Sequence, residues 1–216
     1  MTRNPHFADL PAPEARKDPR VEAHHGIART DEYHWLRAPN WQEVLRDPST
    51  LDPAIRAHLE AKNAYQERLM AGTEALREAL FQEMKGRIKE DDASVPMRDG
   101  PFAYGTAFVA GGQHPRFVRV AAGGGEPEVI LDGDREAEGK AYFDLGGVEH
   151  SRDHRRLLWG HDDKGSEYYT LKVRDLASGA DLADRVENST GEGAWDAGGA
   201  GFLYVLRDEK DRKSVV

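Results

Sequence analysis

The sequence predicts a mainly β protein with an N-terminal helical segment, in which the β part forms the first two to three blades of a β-propeller whose ring is incomplete. Three features support this prediction. Two helix patterns occupy residues 52–89, short apolar runs follow after residue 92, and the strand pattern recurs after 45 residues. The expected division is an N-terminal arm and helical segment at 1–92 and a partial propeller at 93–216, which comprises blades 1, 2 and part of 3.

The composition limits the classes of partner. The 216 residues carry 39 acidic and 30 basic side chains, a balance that argues against nucleic acid or an anionic membrane as the main partner and is also ordinary for a soluble surface. There is no cysteine, so disulfides and thiolate metal sites are excluded and a reducing, cytoplasmic location is expected. No window approaches the length of a membrane span, and the N-terminus lacks the apolar core of a signal peptide.

The N-terminal part predicts an arm followed by two helices. The first twenty residues contain four prolines and many charges, which favours an extended arm. Asp52 at an N-cap and Pro53 at the first helical position begin one helix, and Gly72 with Thr73 breaks and re-caps the chain before the next. The apolar positions are Ile55, Leu59 and Leu69 in the first helix and Leu76, Leu80, Met84 and Ile88 in the second.

Short apolar, aromatic-rich runs predict antiparallel strands in the remaining chain. Glycine-rich or charged turns separate them, which is typical of an all-β region. A charged turn at 207–213 leads into what reads as the opening of a further strand at 214–216. The predicted strands are 102–104, 117–120, 129–131, 157–159, 168–173 and 202–206.

One strand pattern repeats. Residues 150–159 align with residues 195–204, an offset of 45, and a looser copy begins at Phe102, 55 residues before Leu157. A period of this length with about four short strands is typical of a propeller blade, although two copies also fit a β-sandwich. Residues 102–216 amount to about 2.6 blades, whereas propellers close with roughly four to eight. The sequence therefore reads as the front part of a longer protein.

Four motifs resemble a known family. They are Asp31-Glu32-Tyr33-His34-Trp35-Leu36-Arg37, Asn40-Trp41-Gln42-Glu43-Val44-Leu45, the helical stretch 80–88 (LFQEMKGRI) and the stretch 162–169 (DDKGSEYY). In this order they closely resemble the N-terminal part of the prolyl oligopeptidase family of serine peptidases, in its oligopeptidase B branch. The resemblance runs from about residue 20 to about residue 213, and the final Ser214-Val215-Val216 departs from it.

The resemblance implies an architecture and an activity. Family members pair a seven-bladed propeller with an α/β-hydrolase domain, onto which the N-terminal helical segment packs. A Ser-Asp-His triad in the hydrolase domain cuts short peptides in the cavity between the domains, and the oligopeptidase B branch cuts after arginine or lysine. The expected partners of the full-length protein are therefore short peptides with basic residues. The C-terminal α/β-hydrolase domain is missing from this chain, which is expected to be inactive alone.

The residues themselves support the same expectation. A nucleophile elbow needs G-x-S-x-G, and Ser166, Ser178 and Ser189 lack the flanking glycines. The sequence therefore assigns no catalytic, cofactor-binding or metal-binding residue, and no cofactor is expected. A stand-alone β-propeller-like binding module without catalytic activity is the alternative function.

Three stretches look like ligand motifs and are better explained without a ligand. His24-His25 offers two metal-ligand side chains, but adjacent side chains in an extended arm diverge and no acidic partner is placed nearby. Residues 132–136 (DGDRE) begin like a calcium loop, yet Ala137 stands where the turn needs glycine, which favours a solvated blade loop. Residues 191–196 begin like a dinucleotide fingerprint but lack the third glycine and a following helix, which indicates a strand-entry turn.

Two further groups have both a binding and a structural interpretation. Tyr33 and Trp35 belong either to a ligand surface or, as aromatic residues in a helical cap more often do, to packing against a neighbour. Asp162-Asp163-Lys164 and Glu167 form a charged loop. Such a loop either faces a substrate cavity and attracts basic peptides or is a solvated hairpin tip, and the second interpretation is favoured.

Overall fold

The computed structural model describes residues 10–208 and the backbone of Ser214 and Val215. Its contacts divide the chain into two compact units with a boundary between Ile88 and Lys89. The boundary predicted from the sequence, after residue 92, falls four residues further along the chain.

The first unit contains a β-hairpin that the sequence analysis did not predict. Strand β1 (Arg20–His24) pairs antiparallel with β2 (Ile27–Asp31), and the pairing of His24 with Ile27 leaves a two-residue turn. His25 and Gly26 in this turn have φ values of 52° and 80°, as a primed hairpin turn requires. All ten strand residues are exposed. The predicted arm lies partly outside the described residues, and residues 10–19 have no regular structure.

Three α-helices follow in the same unit: α1 (Trp41–Arg46), α2 (Pro53–Met70) and α3 (Glu74–Gly86). The predicted N-cap of α2 is confirmed, because Asp52 Oδ1 accepts hydrogen bonds from the backbone nitrogens of Ala54 at 2.8 Å and Ile55 at 3.2 Å. Thr73 takes the predicted N-cap position of α3, but its side chain does not cap the helix. Its hydroxyl donates instead to the Met70 carbonyl at 2.7 Å, because residues 71–73 form a 3₁₀ turn between the helices.

Helix α3 presents an apolar stripe to solvent. It ends at Gly86 rather than at residue 89, so the last apolar residue of the predicted pattern lies just beyond the helix. The exposed stripe consists of Leu76, Leu80, Phe81, Met84 and Ile88, whose exposed fractions run from 47% to 68%.

No helix among the described residues is long and apolar enough to cross a membrane.

The second unit begins with a four-stranded antiparallel sheet in which the strands are neighbours in chain order. Each strand is followed in the chain by its neighbour in the sheet, as in a propeller blade. A one-turn helix α4 (Gly133–Ala137) follows the last strand. The four strands of this first blade are β3 (Met97–Asp99), β4 (Phe102–Ala107), β5 (Arg116–Ala121) and β6 (Glu128–Asp132).

A second antiparallel sheet has six strands, again in chain order. Its third-from-last strand, β10, is 15 residues long and pairs with β9 through residues 181–189 and with β11 through residues 189–195. The register shifts on both sides of Ser189, where the strand changes partner. The six strands are β7 (Asp144–His150), β8 (Arg156–Asp162), β9 (Tyr169–Asp175), β10 (Asp181–Trp195), β11 (Phe202–Arg207) and β12 (Ser214–Val215).

This change of partner divides the six-stranded sheet into two blades. The first half of β10 is the fourth strand of blade 2, and its second half begins blade 3, which continues with β11 and β12. Every predicted strand is found with its ends within three residues of the prediction, and β12 pairs with β11 as the opening of a strand at 214 suggested. The predicted fold class, with two blades and part of a third, is confirmed.

The 45-residue repeat appears in the backbone. In the β7–β8 turn the Ser151 nitrogen donates to the Arg156 carbonyl at 2.9 Å, and in the β10–β11 turn the Asp196 nitrogen donates to the Gly201 carbonyl at 2.9 Å. Each donor and each acceptor is displaced by 45 positions from its counterpart. Strands β4, β8 and β11, which carry the three predicted copies, each stand second in their blade.

The core lies between blades, and neighbouring residues of β8 face opposite sides. Leu157 and Trp159 pack with the β6 residues Ile130 and Leu131 of blade 1. Leu158 packs instead with Leu171 and Val173, against which residues of the incipient third blade also lie. This alternation is that of a strand buried on both faces between two sheets.

Candidate functional site

Two histidines and a carboxylate meet where blades 1 and 2 adjoin. Asp99 ends β3, His150 ends β7, and His154 lies in the turn that leads into β8. Nε2 of His150 lies 2.8 Å from Oδ2 of Asp99. One side-chain donor atom from each of the three residues lies within 4.8 Å of the other two. The hydrogen bond to His150 lowers the pKa of Asp99 from its usual value, although burial opposes the shift.

Tyr104 of β4 holds both imidazoles. Its ring stacks on His150 with 3.7 Å between centroids and 9° between planes, and its hydroxyl lies 2.9 Å from Nδ1 of His154. Burial raises the pKa of Tyr104, against the neighbouring Arg119 guanidinium, which lowers it. The phenol therefore stays protonated at neutral pH and is available as a hydrogen-bond partner for the imidazole.

Arg119 fixes the backbone of the same turn. Its Nη1 donates to the His154 carbonyl at 2.8 Å, while Nε donates to Glu128 at 2.6 Å and Nη2 to the other Glu128 oxygen at 3.1 Å. The guanidinium also lies over the ring of Phe102, 4.3 Å from its centroid. Because Arg119 is buried and paired at every arm of its fork, the turn that carries His154 is attached to blade 1.

The backbone around His154 takes a conformation that side chains disfavour. His154 has φ of 59°, and Gly199, its counterpart 45 residues later, has φ of 67°. A residue with a Cβ pays about 1 kcal/mol or more in this left-handed region, which glycine occupies freely. Gly100 faces the imidazole, and a Cβ there would stand 2.6 Å from His154 Nε2. The imidazole thus occupies a position where the repeat elsewhere has glycine, opposite a glycine that makes room for it.

An apolar groove of about 480 Å³ opens beside this cluster. It lies between the edge strand β3 of blade 1 and strand β7 of blade 2, and Asp99 and His150 stand at its polar end. Val95 and Met97 on its rim are 87% and 78% exposed. The other apolar side chains that line it include Phe117, Val118, Ile130, Val148 and Leu157.

The charged loop at 162–167 is the hairpin between β8 and β9. Asp162 is 2% exposed, and its carboxylate accepts hydrogen bonds from the backbone nitrogens of Lys164 at 2.9 Å and Glu167 at 2.7 Å. Asp163 is exposed, and Glu167 pairs with Arg207 at 3.3 Å. The loop is therefore a hairpin tip, as the favoured interpretation expected, but Asp162 is buried rather than solvated because its carboxylate organises the turn. Whether the exposed acids reach a substrate cavity stays a prediction.

The three ligand-like stretches take ordinary structures, with corrections to the expected details. Glu22 lies 3.4 Å from Nε2 of His24, so the expectation that no acidic partner is nearby is wrong, because a hairpin replaces the extended arm. Residues 132–136 form the N-cap and body of α4 instead of a solvated loop. Their carboxylates bind protein donors: Asp132 binds Arg116, Asp134 accepts from the backbone of residues 113 and 114, and Glu136 binds Arg174.

Residues 191–195 belong to strand β10, so the strand-entry turn expected for 191–196 begins only at Asp196. The reason is that β10 continues past its bend at Ser189 to pair with β11. Trp35 is half-buried. Its Nε1 donates to the Arg16 carbonyl at 2.8 Å, and its ring meets His58 edge-on at 5.8 Å between centroids, as packing predicts. Tyr33 is exposed.

The cluster of Asp99, Tyr104, His150 and His154 was not predicted from the sequence. The first and last lie 55 positions apart, and each stands alone among ordinary turn residues. The H-x-x-x-H spacing of the two histidines was the available signal, and it was not recognised. Their convergence with Asp99 depends on the contact between blades, which the sequence does not display.

The strand order defines the class of protein: the second unit consists of successive β-propeller blades, preceded in the chain by a helical segment. Residues 13–215 match the family model for the N-terminal β-propeller domain of prolyl oligopeptidase. The chain belongs to the prolyl oligopeptidase family of serine peptidases. The match includes Ser214 and Val215, which the sequence analysis had set apart from the resemblance.

Relatives and solved structures agree with this membership. The chain is 33% identical to dipeptidyl aminopeptidase BI of Pseudoxanthomonas mexicana and 28% identical to protease 2 of Moraxella lacunata, over 93% of its own length and 29% of theirs. Its fold matches oligopeptidase B from Leishmania major with a TM-score of 0.83 at 27% identity, covering 94% of this chain and 30% of that one. Oligopeptidase B from Trypanosoma brucei gives a TM-score of 0.78 at 27% identity, with 92% and 29% covered. The chain thus spans about 30% of the length of these proteins, and it corresponds to their N-terminal propeller portion.

Proposed function

We propose that this chain supplies the first blades of the propeller of an oligopeptidase B-like serine endopeptidase, and that the whole protein cleaves short peptides after arginine or lysine. The observation that carries the proposal is the match of residues 13–215 to the propeller domain, together with the similarity in fold to two oligopeptidase B structures. A propeller in front of a peptidase site selects substrates by size, because a folded protein does not pass a closed ring of blades.

The serines of the described residues serve turns and strands, which supports the view that the catalytic residues lie elsewhere in the protein. Ser151 and Ser189 are fully buried. The Ser151 hydroxyl donates to Asp153 at 2.6 Å, and the Ser189 hydroxyl donates to the Tyr169 carbonyl at 3.0 Å. Neither contacts a histidine base in the arrangement that serine nucleophiles need. We therefore expect no peptidase activity from the 216-residue chain by itself.

Negative charge on the inner strands supports the preference for basic peptides. The first strand of a blade lines the central channel of a propeller, and β7 and the second half of β10 hold that place in blades 2 and 3. Glu149 on β7 and Glu192 on β10 are both exposed. Together with the net charge of −9, these carboxylates favour the approach of cationic peptides over neutral ones.

The test uses the full-length protein and matched fluorogenic peptides with a blocked N-terminus, which differ only in having arginine, lysine or alanine before the cut. We expect kcat/KM for arginine and lysine to exceed that for alanine by at least about tenfold, a difference of 1.4 kcal/mol. Glu149→Gln with Glu192→Gln should lower kcat/KM for the arginine peptide at low salt and leave the alanine peptide unchanged. Asp184→Asn with Glu187→Gln, two exposed acids on the outer half of β10, is the control of equal charge change. Equal cleavage after alanine and arginine would contradict the proposal.

Removal of dipeptides is the second candidate activity. It is favoured by the name of the Pseudoxanthomonas mexicana relative, a dipeptidyl aminopeptidase. An exopeptidase of this kind binds the free amino terminus of its substrate, whereas an endopeptidase does not need it. The same arginine peptide with a free amino terminus separates the two activities, since only the removal of dipeptides requires that terminus.

The absence of cysteine also supports a cytoplasmic location, which cell fractionation would test.

A further inference from the structure

We propose that Asp99, His150 and His154 form a binding site for a divalent transition-metal ion of the Zn²⁺ class, which connects blade 1 to blade 2. The donor set is two imidazole nitrogens and one carboxylate oxygen, all within 4.8 Å of one another. Two histidines with one carboxylate is a recurrent metal-binding combination, which leaves coordination positions open for water or another ligand. Imidazole donors suit Zn²⁺, Cu²⁺ or Ni²⁺ and disfavour Ca²⁺ and Mg²⁺, which prefer oxygen.

The groups around the donors are those that a metal site needs. The Tyr104 hydroxyl engages Nδ1 of His154 at 2.9 Å and thereby leaves Nε2 of the same ring for a metal. Stacking on Tyr104 fixes the plane of the His150 ring. Arg119 holds the His154 carbonyl, so the turn that carries His154 does not depend on the ligands for its position. Preorientation of this kind reduces the conformational entropy lost when an ion binds.

The backbone conformation at His154 indicates that the imidazole has a function other than forming the turn. The equivalent position of the next repeat is Gly199, which makes the same turn without strain. The chain places histidine at position 154 despite the left-handed conformation, and it places Gly100 opposite, where any Cβ would meet His154 Nε2. Residues held in a strained backbone conformation are concentrated at functional sites of proteins.

A metal ion here would add a link between two blades that already meet through apolar packing and through the contacts of Tyr104 and Arg119 with His154. Asp99 belongs to blade 1, and the two histidines belong to blade 2, so coordination by all three adds a link across the blade interface. Binding to the folded state alone raises the melting temperature by mass action. The open coordination positions would also present the ion to the polar end of the apolar groove.

The test is titration of the protein with Zn²⁺ by calorimetry and with Co²⁺ by visible absorption at pH 7.5. We expect one tight site, a Co²⁺ spectrum with nitrogen ligands, and a rise in melting temperature that a chelator abolishes. His154→Gly should weaken binding by at least about tenfold while retaining the fold, because glycine suits the left-handed backbone. His150→Asn should have the same effect on binding, and Asp99→Asn a smaller one.

His25→Gly is the matched control, because His25 also has a left-handed φ, of 52°, in an exposed hairpin turn. It should leave binding unchanged. Equal affinity in His154→Gly and the unaltered protein, or an equal loss in His25→Gly, would overturn the site. Should His154→Gly fail to fold, X-ray absorption of the Zn²⁺-loaded unaltered protein decides the matter: two nitrogen ligands support the site, and an all-oxygen shell overturns it.

Discussion

At the scale of single residues, the buried carboxylate of Asp162 organises the turn between β8 and β9. Asp162 is almost fully buried, yet it meets no basic side chain within the described hydrogen bonds and ion pairs; it accepts backbone N–H groups of its own hairpin. Asp163 beside it is exposed. The two adjacent acids thus have different roles, although the sequence presents them as one charged loop.

Asp162→Ala should lower the free energy of unfolding by about 3 kcal/mol, because two backbone N–H groups lose their acceptor in a buried turn. Asp163→Ala, the adjacent control, should change it by less than about 0.5 kcal/mol. Denaturant unfolding followed by circular dichroism measures both. Similar effects for the two variants would show that Asp162 does not organise the hairpin.

At the scale of elements, the bend in β10 depends on glycines that pack backbone against backbone. Gly191 has φ of 91°, and a Cβ there would stand 2.8 Å from the Tyr169 ring. A Cβ on Gly146 of β7 or Gly160 of β8 would stand 2.6 Å from the Gly191 carbonyl oxygen. These contacts let β10 cross beside β7 and β8 as it passes from blade 2 to blade 3.

Gly191→Ala should therefore destabilise the protein by about 3 kcal/mol, since it combines a strained left-handed backbone with overpacking against Tyr169. Gly199→Ala is the matched control: its φ is also positive, at 67°, but a Cβ there meets nothing within 4 Å. It should cost only the backbone strain, about 1 kcal/mol. The difference between the two unfolding free energies measures the packing at the crossing, and equal losses would mean that the crossing is loose.

The strands that sequence reasoning found are those with continuous apolar runs, such as β8 and β11. It missed β7, which contains Gly146 and Gly147, and β10, which is largely polar, because both are strands by pairing and close packing rather than by propensity. It missed the hairpin of β1 and β2, in which the alternation of polar and apolar residues covers only the five residues of β1 and all ten strand residues are exposed. The candidate metal site needed the contact between blades, and no local pattern encodes a contact between residues some 50 positions apart.

At the scale of the whole molecule, the 45-residue period and the uncovered surfaces are those of an incomplete set of propeller blades. Each blade buries one face against the next, as the two core clusters on either side of β8 show. Helix α3 presents its stripe of apolar side chains to solvent, among them Phe81 at 53% and Met84 at 60% exposed. Surfaces of this kind favour association with another apolar face.

The 216-residue chain should consequently self-associate through α3 at micromolar concentration. Leu80→Glu with Met84→Lys places two charges of opposite sign on the stripe without changing the net charge, and it should shift the chain toward the monomer. Arg77→Glu with Glu78→Lys is the control, since it also preserves net charge but alters exposed polar positions of the same helix. Light scattering and sedimentation measure the association of all three proteins. If the unaltered chain remains a monodisperse monomer, the stripe drives no association. If the control variant dissociates as fully as the stripe variant, charge placement rather than apolar contact holds the copies together.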